Sequence, residues 1–577
     1  MQGNEIKINK FNNDIILDKV EIDGHVCGEF VEFHLNYIYE NKGENDLGAV
    51  YEFKVPSIAA ISGLHINLGG SDIIGKIQNK KEVKNFYINK SEQYNENLQI
   101  DEVGHNHIRI TIKNMLSREK VKIKISYIEE LDHYSNKLKL IIPKITNPLI
   151  SSNISLFDKT KYDLKVNLNL LIETFEKVSI NCKTYPIVVE NEDDNLYKVK
   201  LKDSFCKLDE DMIIFIEETS CIEAGGIVYE DYENNNGILY LRLYPDIGES
   251  FKVKKFNYIF LLDNSSSMKD SKIEKAKKAL KLSIGYLNPG DTFNIASIGD
   301  SVNLFSNNGL LEFNDRNLLK ACQWINELSY ENNCKVLEGI KYAVENEVED
   351  AENIILVFTD GIVNNEKEIL DYIQKSKAKS RIFTFGIDTL VNGYFINEIT
   401  KLTNGKAEFI NSEKIIEEKV LRQFNRIKSL KITNVNIDWG SMNIEKTYPR
   451  SIDYLYNAEH FSIFAKYKGK LEDVITVKGK VKNKLFQRRI NLKKLTLGSS
   501  MNLIEKVWYK KRIESLEERI IYEKNDTYEL MLNKIIEIST KGGILSDKTS
   551  FILIEEIYDP ILGGVVRRLI PENTELD

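Results

Sequence analysis

The sequence predicts a multidomain protein of the α/β plus β class, and three observations lead to that prediction. The chain has 577 residues, which is too long for one hydrophobic core and suggests roughly three or four domains. Residues 1 to about 255 read as short strands separated by polar turns. From about residue 256 onwards, strand patterns alternate with amphipathic helix patterns, and after about residue 430 strand patterns predominate again.

The N-terminal β region comes first. Segments 121–127 and 138–142 alternate between apolar and polar residues, which is typical of strands with one buried face. We predict a β-sandwich over 1–145 and an intermediate β region over 146–254. Only nine prolines occur in the chain, and no Ser/Pro-rich linker is present, so we expect the domains to abut closely.

The segment 255–429 is predicted to form one α/β domain. Residues 257–262 are largely apolar, as expected for a strand buried on both faces. Ile273, Ala276 and Leu280 then mark one face of a helix. Further strands are expected at 293–298, 302–305, 353–359 and 381–387, and further helices near 317–328, 335–348, 365–377, 394–403 and 413–427. This alternation favours a parallel sheet with helices on both faces.

The C-terminal part is predicted as a β region over 430–498, followed by helical segments and a terminal strand over 499–577. The β texture on both flanks of the α/β domain suggests that 146–254 and 430–498 build one sandwich from two sides. In that hypothesis the chain enters and leaves the α/β domain at neighbouring points.

Composition and charge narrow the function classes. The formal net charge is −8 and the pI is near 5.7, which argues against a nucleic-acid-binding protein. No signal peptide or anchor is seen, and apolar runs such as 354–358 are far too short to span a bilayer. Six scattered cysteines without a CxxC pair favour free thiols in a reducing compartment. We expect a cytoplasmic protein, with leaderless export left open.

The strongest chemical signal follows the first strand of the α/β domain. The sequence FLLDNSSSM places Asp263, Ser265 and Ser267 just beyond that buried strand and before a helix. Asp360 ends another buried strand, in LVFTDG. Ligands bind at the carboxyl ends of strands in an open α/β sheet, and such hard oxygen atoms suit Mg²⁺ or Mn²⁺. The alternative is that Asp263 and its serines only cap the following helix.

The D-x-S-x-S turn, the following helix and the later TDG resemble a von Willebrand factor A domain and its metal-ion-dependent adhesion site. The resemblance implies a Rossmann-like doubly wound sheet. It also implies that Asp263, Ser265 and Ser267 bind the ion directly and that Asp360 acts through water. A partner protein would then supply an acidic side chain to the open coordination position.

One position departs from that family. The loop ENNCKVLEGI, residues 331–340, has Cys334 where the family commonly has a threonine ligand. A thiol is a poor ligand for Mg²⁺, so a water, or a carbonyl oxygen of Asn332 or Asn333, would have to take its place.

The N-terminal region carries a second resemblance, to the domain shared by vault proteins and inter-alpha-trypsin inhibitor heavy chains. Its hallmarks within 48–87 are Ala49-Val50-Tyr51, Phe53, Pro56, Ala59-Ala60, Ser62-Gly63, Gly75-Lys76-Ile77 and Tyr87. In the family this small β-sandwich precedes an A domain, and the same order occurs here. The closing segment 542–556 also resembles the end of such proteins.

Together these features predict a binding protein and not an enzyme, one that engages an acidic partner residue through the metal site, with self-association possible. The alternative is a metal-independent structural subunit of an intracellular assembly with a vestigial site, which Cys334 favours. A metal-assisted hydrolase is a third hypothesis, for which the sequence offers no general base. His105 and His107 are interpreted as a surface pair and not as metal ligands.

Overall fold

The structure is a computed structural model of the chain. It describes residues 14–56, 59–83, 98–104, 107–134, 137–144, 164–193, 195–203, 208, 210–218, 224–231, 236–247, 255–363, 365–376, 379–388, 391–482, 484–494, 498–520, 525–559 and 564–570. Among the residues with predicted roles, Tyr87 and His105 lie outside these ranges.

The strands before the α/β domain are β1 (Ile15–Cys27), β2 (Phe30–Asn41), β3 (Leu47–Lys54), β4 (Ala60–Leu68), β5 (Ser71–Asn79), β6 (Leu98–Gly104), β7 (His107–Met115), β8 (Lys120–Glu130), β9 (Asp132–Tyr134), β10 (Lys137–Ile142), β11 (Lys165–Glu173), β12 (Val178–Cys182), β13 (Ile187–Asp193), β14 (Leu196–Leu201), β15 (Met212–Glu218), β16 (Ala224–Asp231) and β17 (Asn236–Leu243). Those of the α/β domain are β18 (Phe256–Asp263), β19 (Thr292–Ile298), β20 (Val302–Leu304), β21 (Leu311–Glu312), β22 (Glu352–Thr359), β23 (Arg381–Ile387) and β24 (Ala407–Ile410). The remaining strands are β25 (Lys431–Asp438), β26 (Asn443–Tyr448), β27 (Tyr454–Tyr456), β28 (Phe461–Lys468), β29 (Val474–Val481), β30 (Lys484–Lys494), β31 (Thr549–Asp559) and β32 (Gly564–Ile570).

The α-helices are α1 (Ser271–Gly285), α2 (Asp315–Glu327), α3 (Val336–Glu345), α4 (Glu366–Lys375), α5 (Gly393–Leu402), α6 (Ile416–Lys428), α7 (Gly498–Ile520) and α8 (Asn525–Gly542). The last of these is followed by Gly543 at a φ of 62°, the left-handed position at which glycine commonly ends a helix. In the described part of the chain, none of the helices combines the length and apolarity that crossing a membrane requires.

A sheet of ten described strands joins distant parts of the chain, in the order β13-β14-β11-β1-β2-β8-β4-β5-β31-β32. The three-stranded sheet β3-β7-β6 covers one half of it, around buried residues such as Tyr51 and Ile123. The four-stranded sheet β12-β15-β10-β9 covers the other half, around residues such as Phe33 and Leu140. The N-terminal β regions therefore form two sandwiches that share one long sheet.

The α/β domain has a sheet of order β20-β19-β18-β22-β23-β24, with β18, β19, β22, β23 and β24 parallel. One apolar core packs against each face of this sheet. The buried strands β18 and β22 lie side by side at its centre. This arrangement confirms the predicted multidomain α/β plus β class with a doubly wound domain.

The segment 146–254 does not form a unit of its own. Its strands β11 to β15 belong to the two N-terminal sandwiches, whereas β16 and β17 join β25–β30 in an eight-stranded sheet, in the order β26-β28-β17-β16-β30-β29-β25-β27. Strands from both flanks of the α/β domain therefore share one sheet, to which β16 and β17 are the only described strands contributed from the N-terminal side. The prediction missed this division because an alternation of apolar and polar residues indicates a strand but does not specify which distant strand it pairs with.

The chain enters and leaves the α/β domain at neighbouring points. Ahead of the domain, the backbone N–H of Ile247 donates to Asn457 Oδ1 at 2.7 Å, and the carbonyl of Pro245 accepts from Ala458 at 2.8 Å. Behind it, the carbonyl of Leu430 accepts from the N–H of Asn457 at 3.1 Å. The same short segment thus holds both connections.

Helices α7 and α8 fill the space between the ten-stranded and the eight-stranded sheets. Buried residues of both sheets, such as Phe30 and Phe464, share one core with Trp508 and Ile535 of the two helices. Strand β31, which follows these helices, pairs antiparallel with β5. The C-terminal segment therefore completes the N-terminal sheet and does not form a separate tail.

Candidate functional site

The candidate site lies where the two central strands of the α/β sheet end. Asp263 is the last residue of β18, and Asp360 follows the last residue of β22. The strands are parallel neighbours in which Leu262 pairs with Phe358, so both carboxylates emerge at the same edge of the sheet. Both residues are buried.

A tight turn after β18 presents the two serines. The N–H of Ser265 donates to Asp263 Oδ1 at 3.0 Å, and a short 3-10 helix, Ser266–Met268, follows. The hydroxyl oxygens of Ser265 and Ser267 lie 3.0 Å apart. Met268 is buried in the core below and anchors this turn.

Helix capping does not account for these side chains. The N-cap of α1 is Asp270, whose side chain makes no capping hydrogen bond. Ser265 stands at the N-cap of the short 3-10 helix and likewise makes no side-chain capping bond. The oxygen atoms of the turn face each other and Asp360, which is not what capping alone requires.

Asp263 is held from both sides. Its Oδ2 accepts a hydrogen bond from Thr359 Oγ1 at 2.6 Å, and Thr359 Oγ1 in turn accepts from the N–H of Gly361 at 2.9 Å. Burial raises the pKa of Asp263, and the hydrogen bonds from Thr359 and Ser265 oppose that rise. Thr359 was not singled out from the sequence, although it directly precedes the aspartate of the TDG motif.

Asp360 links the turn to helix α1. Its Oδ1 accepts from Ser267 Oγ and from the N–H of Ile362, each at 3.1 Å. Its Oδ2 accepts from the ammonium of Lys272 at 3.0 Å. Lys272 is the functional neighbour that sequence reasoning missed, because a lysine in the first turn of an amphipathic helix reads as solvated surface.

Cys334 lies against the same cluster, in the loop before α3. Burial raises the pKa of its thiol well above the usual range, and the nearby charge of Asp263 adds to the rise. The thiol is therefore protonated at neutral pH and lies within hydrogen-bonding reach of Asp263 and Ser265. The structure thus places Cys334 where the family resemblance expects a threonine ligand.

The two asparagines whose carbonyl oxygens were suggested as substitute ligands make hydrogen bonds within the loop. The carbonyl oxygen of Asn332 accepts from Ser266 Oγ at 3.1 Å. The backbone N–H of Asn333 donates to Asp300 Oδ1 at 3.1 Å, and its side-chain amide donates to the same oxygen. These bonds fix the loop beside the serine turn.

The spacing of the oxygen atoms fits a small divalent cation. Adjacent ligands of an octahedral ion with bonds of 2.0–2.1 Å lie about 3.0 Å apart. Ser265 Oγ and Ser267 Oγ are 3.0 Å apart, and Ser267 Oγ and Asp360 Oδ1 are 3.1 Å apart. Asp263, Ser265, Ser267 and Asp360 are therefore the residues able to hold such an ion, and a protonated thiol at Cys334 adds nothing to a set of hard ligands.

The fold and the strand-end site define a protein with a von Willebrand factor A-type domain, and comparison with known families agrees. Residues 257–409 match the von Willebrand factor type A domain, and residues 17–127 match the Vault protein inter-alpha-trypsin domain. The chain therefore carries a Vault protein inter-alpha-trypsin domain followed by a von Willebrand factor type A domain, as both sequence resemblances predict.

Two similar proteins each match most of this chain in sequence. A von Willebrand factor A domain-containing protein of Dictyostelium discoideum is 26% identical over 89% of this chain and 54% of its own length. Von Willebrand factor A domain-containing protein 5A of Mus musculus is 22% identical over 92% of this chain and 72% of its own length. The chain thus spans little more than half of the first relative.

Among solved structures, a von Willebrand factor type A protein from Catenulispora acidiphila is similar at 12% identity and a TM-score of 0.36, covering 59% of this chain and 92% of its own. The ArnB paralog VWA2 from Sulfolobus acidocaldarius is similar at 14% identity and a TM-score of 0.32, covering 55% and 90%.

Proposed function

We propose that this protein binds other proteins through a divalent cation held at the ends of β18 and β22, in the manner of a metal-ion-dependent adhesion site. The observation that carries the proposal is the connected set of oxygen atoms from Asp263, Ser265, Ser267 and Asp360, two neighbouring pairs of which lie 3.0 and 3.1 Å apart. Helix capping does not explain this set.

The side chains have distinct roles in this proposal. Asp263, Ser265 and Ser267 bind the ion directly, and Asp360 acts through water. Thr359 and the N–H of Ser265 orient the Asp263 carboxylate by hydrogen bonds to its two oxygens. The ion, Mg²⁺ or Mn²⁺, supplies an open coordination position for an acidic side chain of the partner.

A second candidate function has its own support. The ammonium of Lys272 already pairs with Asp360, and Cys334 supplies a protonated thiol where an oxygen ligand would strengthen the site. Both features favour a structural subunit whose ion site is vestigial and whose β-sheets make the contacts. The two candidates differ in whether partner binding requires the ion.

The test is calorimetric titration of Mg²⁺ and Mn²⁺ into the EDTA-stripped 577-residue chain. We expect one ion per chain for the wild type and none for Asp263→Ala. The matched control is Asp388→Asn, at the end of the neighbouring strand β23, where the carboxylate pairs with Lys275 and not with the serine turn. Control and wild type should bind alike.

If the wild type shows no binding of Mg²⁺ at millimolar concentration, ion-dependent adhesion is contradicted and the scaffold function remains. Sedimentation in Mg²⁺ and in EDTA then shows whether the chain self-associates without the ion. The proposal also takes the protein to be a binder and not an enzyme. Turnover of phosphoesters that Asp263→Ala abolishes would contradict that part.

We also propose a cytoplasmic location. In the described ranges Cys182, Cys322 and Cys334 form no disulfide bond, which suits a reducing compartment. Fractionation of the producing cell, followed by immunodetection, tests this point directly.

A further inference from the structure

Three side chains from distant parts of the chain meet between the ten-stranded and the eight-stranded sheets. Glu29 stands in the turn between β1 and β2, His133 on β9, and His460 directly before β28. Nε2 of His133 lies 2.9 Å, and Nδ1 of His460 3.6 Å, from the same oxygen, Glu29 Oε1. The two imidazole rings stack with centroids 3.4 Å apart.

The three converging atoms are buried and make no hydrogen bond in the structure. They are Glu29 Oε1, His133 Nε2 and His460 Nδ1. The other carboxylate oxygen, Glu29 Oε2, accepts from Ser462 Oγ at 2.8 Å. Leaving a buried polar atom without a partner costs about 1–3 kcal/mol, so three such atoms around one point call for a ligand that satisfies all of them.

The charges around this point also leave room for a cation. Arg242 is fully buried, stacks on Phe175 at 4.5 Å and directs its short hydrogen bond, of 2.6 Å, to Glu218. Its Nε is 3.9 Å from Glu29 Oε1 and makes no hydrogen bond. One guanidinium thus faces the two carboxylates of Glu29 and Glu218.

Metal ions bind imidazole through the lone pair of a ring nitrogen and bind a carboxylate through its oxygen atoms. His133 and His460 each bring one ring nitrogen towards Glu29 Oε1, so two nitrogen atoms and one oxygen atom converge on one point.

We propose that Glu29, His133 and His460 form a binding site for a transition-metal ion of the Zn²⁺ class. Two imidazole nitrogens and one carboxylate oxygen are ligands that Zn²⁺ accepts readily, whereas Mg²⁺ and Ca²⁺ prefer oxygen alone. Bonds of 2.0–2.1 Å in tetrahedral geometry place ligand atoms about 3.3 Å apart. The observed 2.9 and 3.6 Å bracket that spacing.

The surroundings fit a site that is structural and closed except at one edge. The side chain of Glu29 is 2% exposed, while those of His133 and His460 are 20% and 18% exposed. A water at the exposed edge completes the coordination. Ser462 orients the carboxylate from outside the ligand set, as is usual for metal-binding carboxylates. The ligands come from the turn between β1 and β2, from β9 of the four-stranded sheet and from the residue before β28 of the eight-stranded sheet, so the ion cross-links these three parts of the chain.

The competing interpretation is an ion pair between Glu29 and a protonated His133, without a metal. That arrangement gives His133 a hydrogen bond to Glu29, but it places a second cation beside Arg242 and leaves His460 Nδ1 without a partner. This interpretation predicts that the protein does not bind Zn²⁺, so metal titration distinguishes the ion pair from the metal site.

The experiment titrates Co²⁺ and Zn²⁺ into the EDTA-stripped 577-residue chain, both as wild type and as Asp263→Ala. The second protein lacks the proposed adhesion site, so failure of one site does not imitate failure of the other. In Asp263→Ala we expect one equivalent of Co²⁺ with visible d–d absorption that Zn²⁺ displaces, and the wild type should show the same displaceable absorption. Bound Zn²⁺ should also raise the Tm, and chelation should reverse the rise.

His133→Asn and His460→Asn should each weaken Zn²⁺ binding by at least about tenfold. The matched control is His107→Asn, because His107 also faces a carboxylate, Glu52 at 3.2 Å. Zn²⁺ binding that both histidine variants retain, or no Zn²⁺-dependent change in spectrum or Tm of the wild type, would overturn the proposal. If the variants fail to fold, the wild-type spectrum and Tm decide the matter alone.

Discussion

The ammonium of Lys272 lies 3.0 Å from Oδ2 of Asp360, and Ser267 donates to Oδ1 of the same carboxylate at 3.1 Å. A cation from the chain therefore already faces the edge of the sheet at which the proposed metal ion binds. Lys272 is only 19% exposed, so solvent screens this pair incompletely. A divalent ion has to share the carboxylate with Lys272 or displace it.

The first prediction follows from this competition. Lys272→Met removes the charge but keeps the aliphatic stem, and we expect Mg²⁺ and Mn²⁺ to bind about tenfold more tightly, or ~1.4 kcal/mol. Calorimetry measures the change. Lys275→Met is the matched control, because Lys275 pairs with Asp388 and should leave the affinity unchanged. Weaker binding by Lys272→Met would show that the lysine supports the site.

Cys334→Thr supplies the oxygen ligand that the thiol does not. A hydroxyl at this position is a harder ligand than a protonated thiol, so Mg²⁺ affinity should rise by about tenfold, equivalent to ~1.4 kcal/mol. Cys322→Ser, in helix α2, serves as the control for thiol removal. An unchanged affinity in Cys334→Thr would mean that this position does not face the ion.

Thr359→Val tests the support beneath Asp263. The substitution keeps the shape of the side chain but removes the 2.6 Å hydrogen bond to the buried carboxylate and the acceptor for Gly361. We expect the unfolding free energy of the α/β domain to fall by about 2 kcal/mol. Urea-dependent hydrogen exchange in β18 and β22 measures it. Thr359→Ser keeps the hydroxyl, so its unfolding free energy should fall much less. Equal decreases in the two variants would refute the role of the hydrogen bond.

Glu459 gives a prediction about pH. Its carboxylate bonds to Arg426 of helix α6 through two contacts of 2.8 Å and to Lys406 at 2.6 Å. Although burial by itself raises the pKa of a carboxyl group, Lys406 and Arg426 lower the pKa of Glu459 from 4.5 to about 2. The folded pKa is depressed, so this stabilisation is complete above about pH 4.5 and is lost as the pH falls towards 2.

Glu459→Gln should therefore destabilise the protein by about 3 kcal/mol at pH 7, and by progressively less below pH 4.5. Tm values of wild type and variant, measured from pH 7 to pH 3, should converge towards acid. The control is Glu417→Gln, at an exposed position in the first turn of helix α6. Its Tm should follow that of the wild type at every pH. If the difference in Tm between wild type and Glu459→Gln stays constant with pH, the ion-pair explanation is contradicted.

Local patterns predicted the α/β domain closely. The strand expected at 381–387 is observed as Arg381–Ile387, and the helix expected near 394–403 as Gly393–Leu402. Buried parallel strands and amphipathic helices leave strong periodic signals. Strand β24 was missed because four residues that include a glutamate carry no such signal. Its Glu408 is buried only because Arg426 and Lys419 neutralise it.

Contacts between distant segments could not be predicted from sequence patterns. The D-x-S-x-S and TDG motifs identified Asp263, Ser265, Ser267 and Asp360, since each motif is contiguous and ends a buried strand. Lys272 and the group of Glu29, His133 and His460 have no common motif, because only tertiary packing brings these residues together. The pairing of β31 with β5 was missed for the same reason.

That pairing has a consequence for how the protein is made. Strands β31 and β32 supply residues 549–559 and 564–570 to a sheet whose other strands lie before residue 202, so the emerging chain holds an open strand edge at β5 while most of it is still being synthesised. The α/β domain, by contrast, is one continuous segment and can fold as soon as it leaves the ribosome. An exposed edge invites pairing with other chains, and we expect nascent chains of this protein to depend on chaperones until β31 arrives.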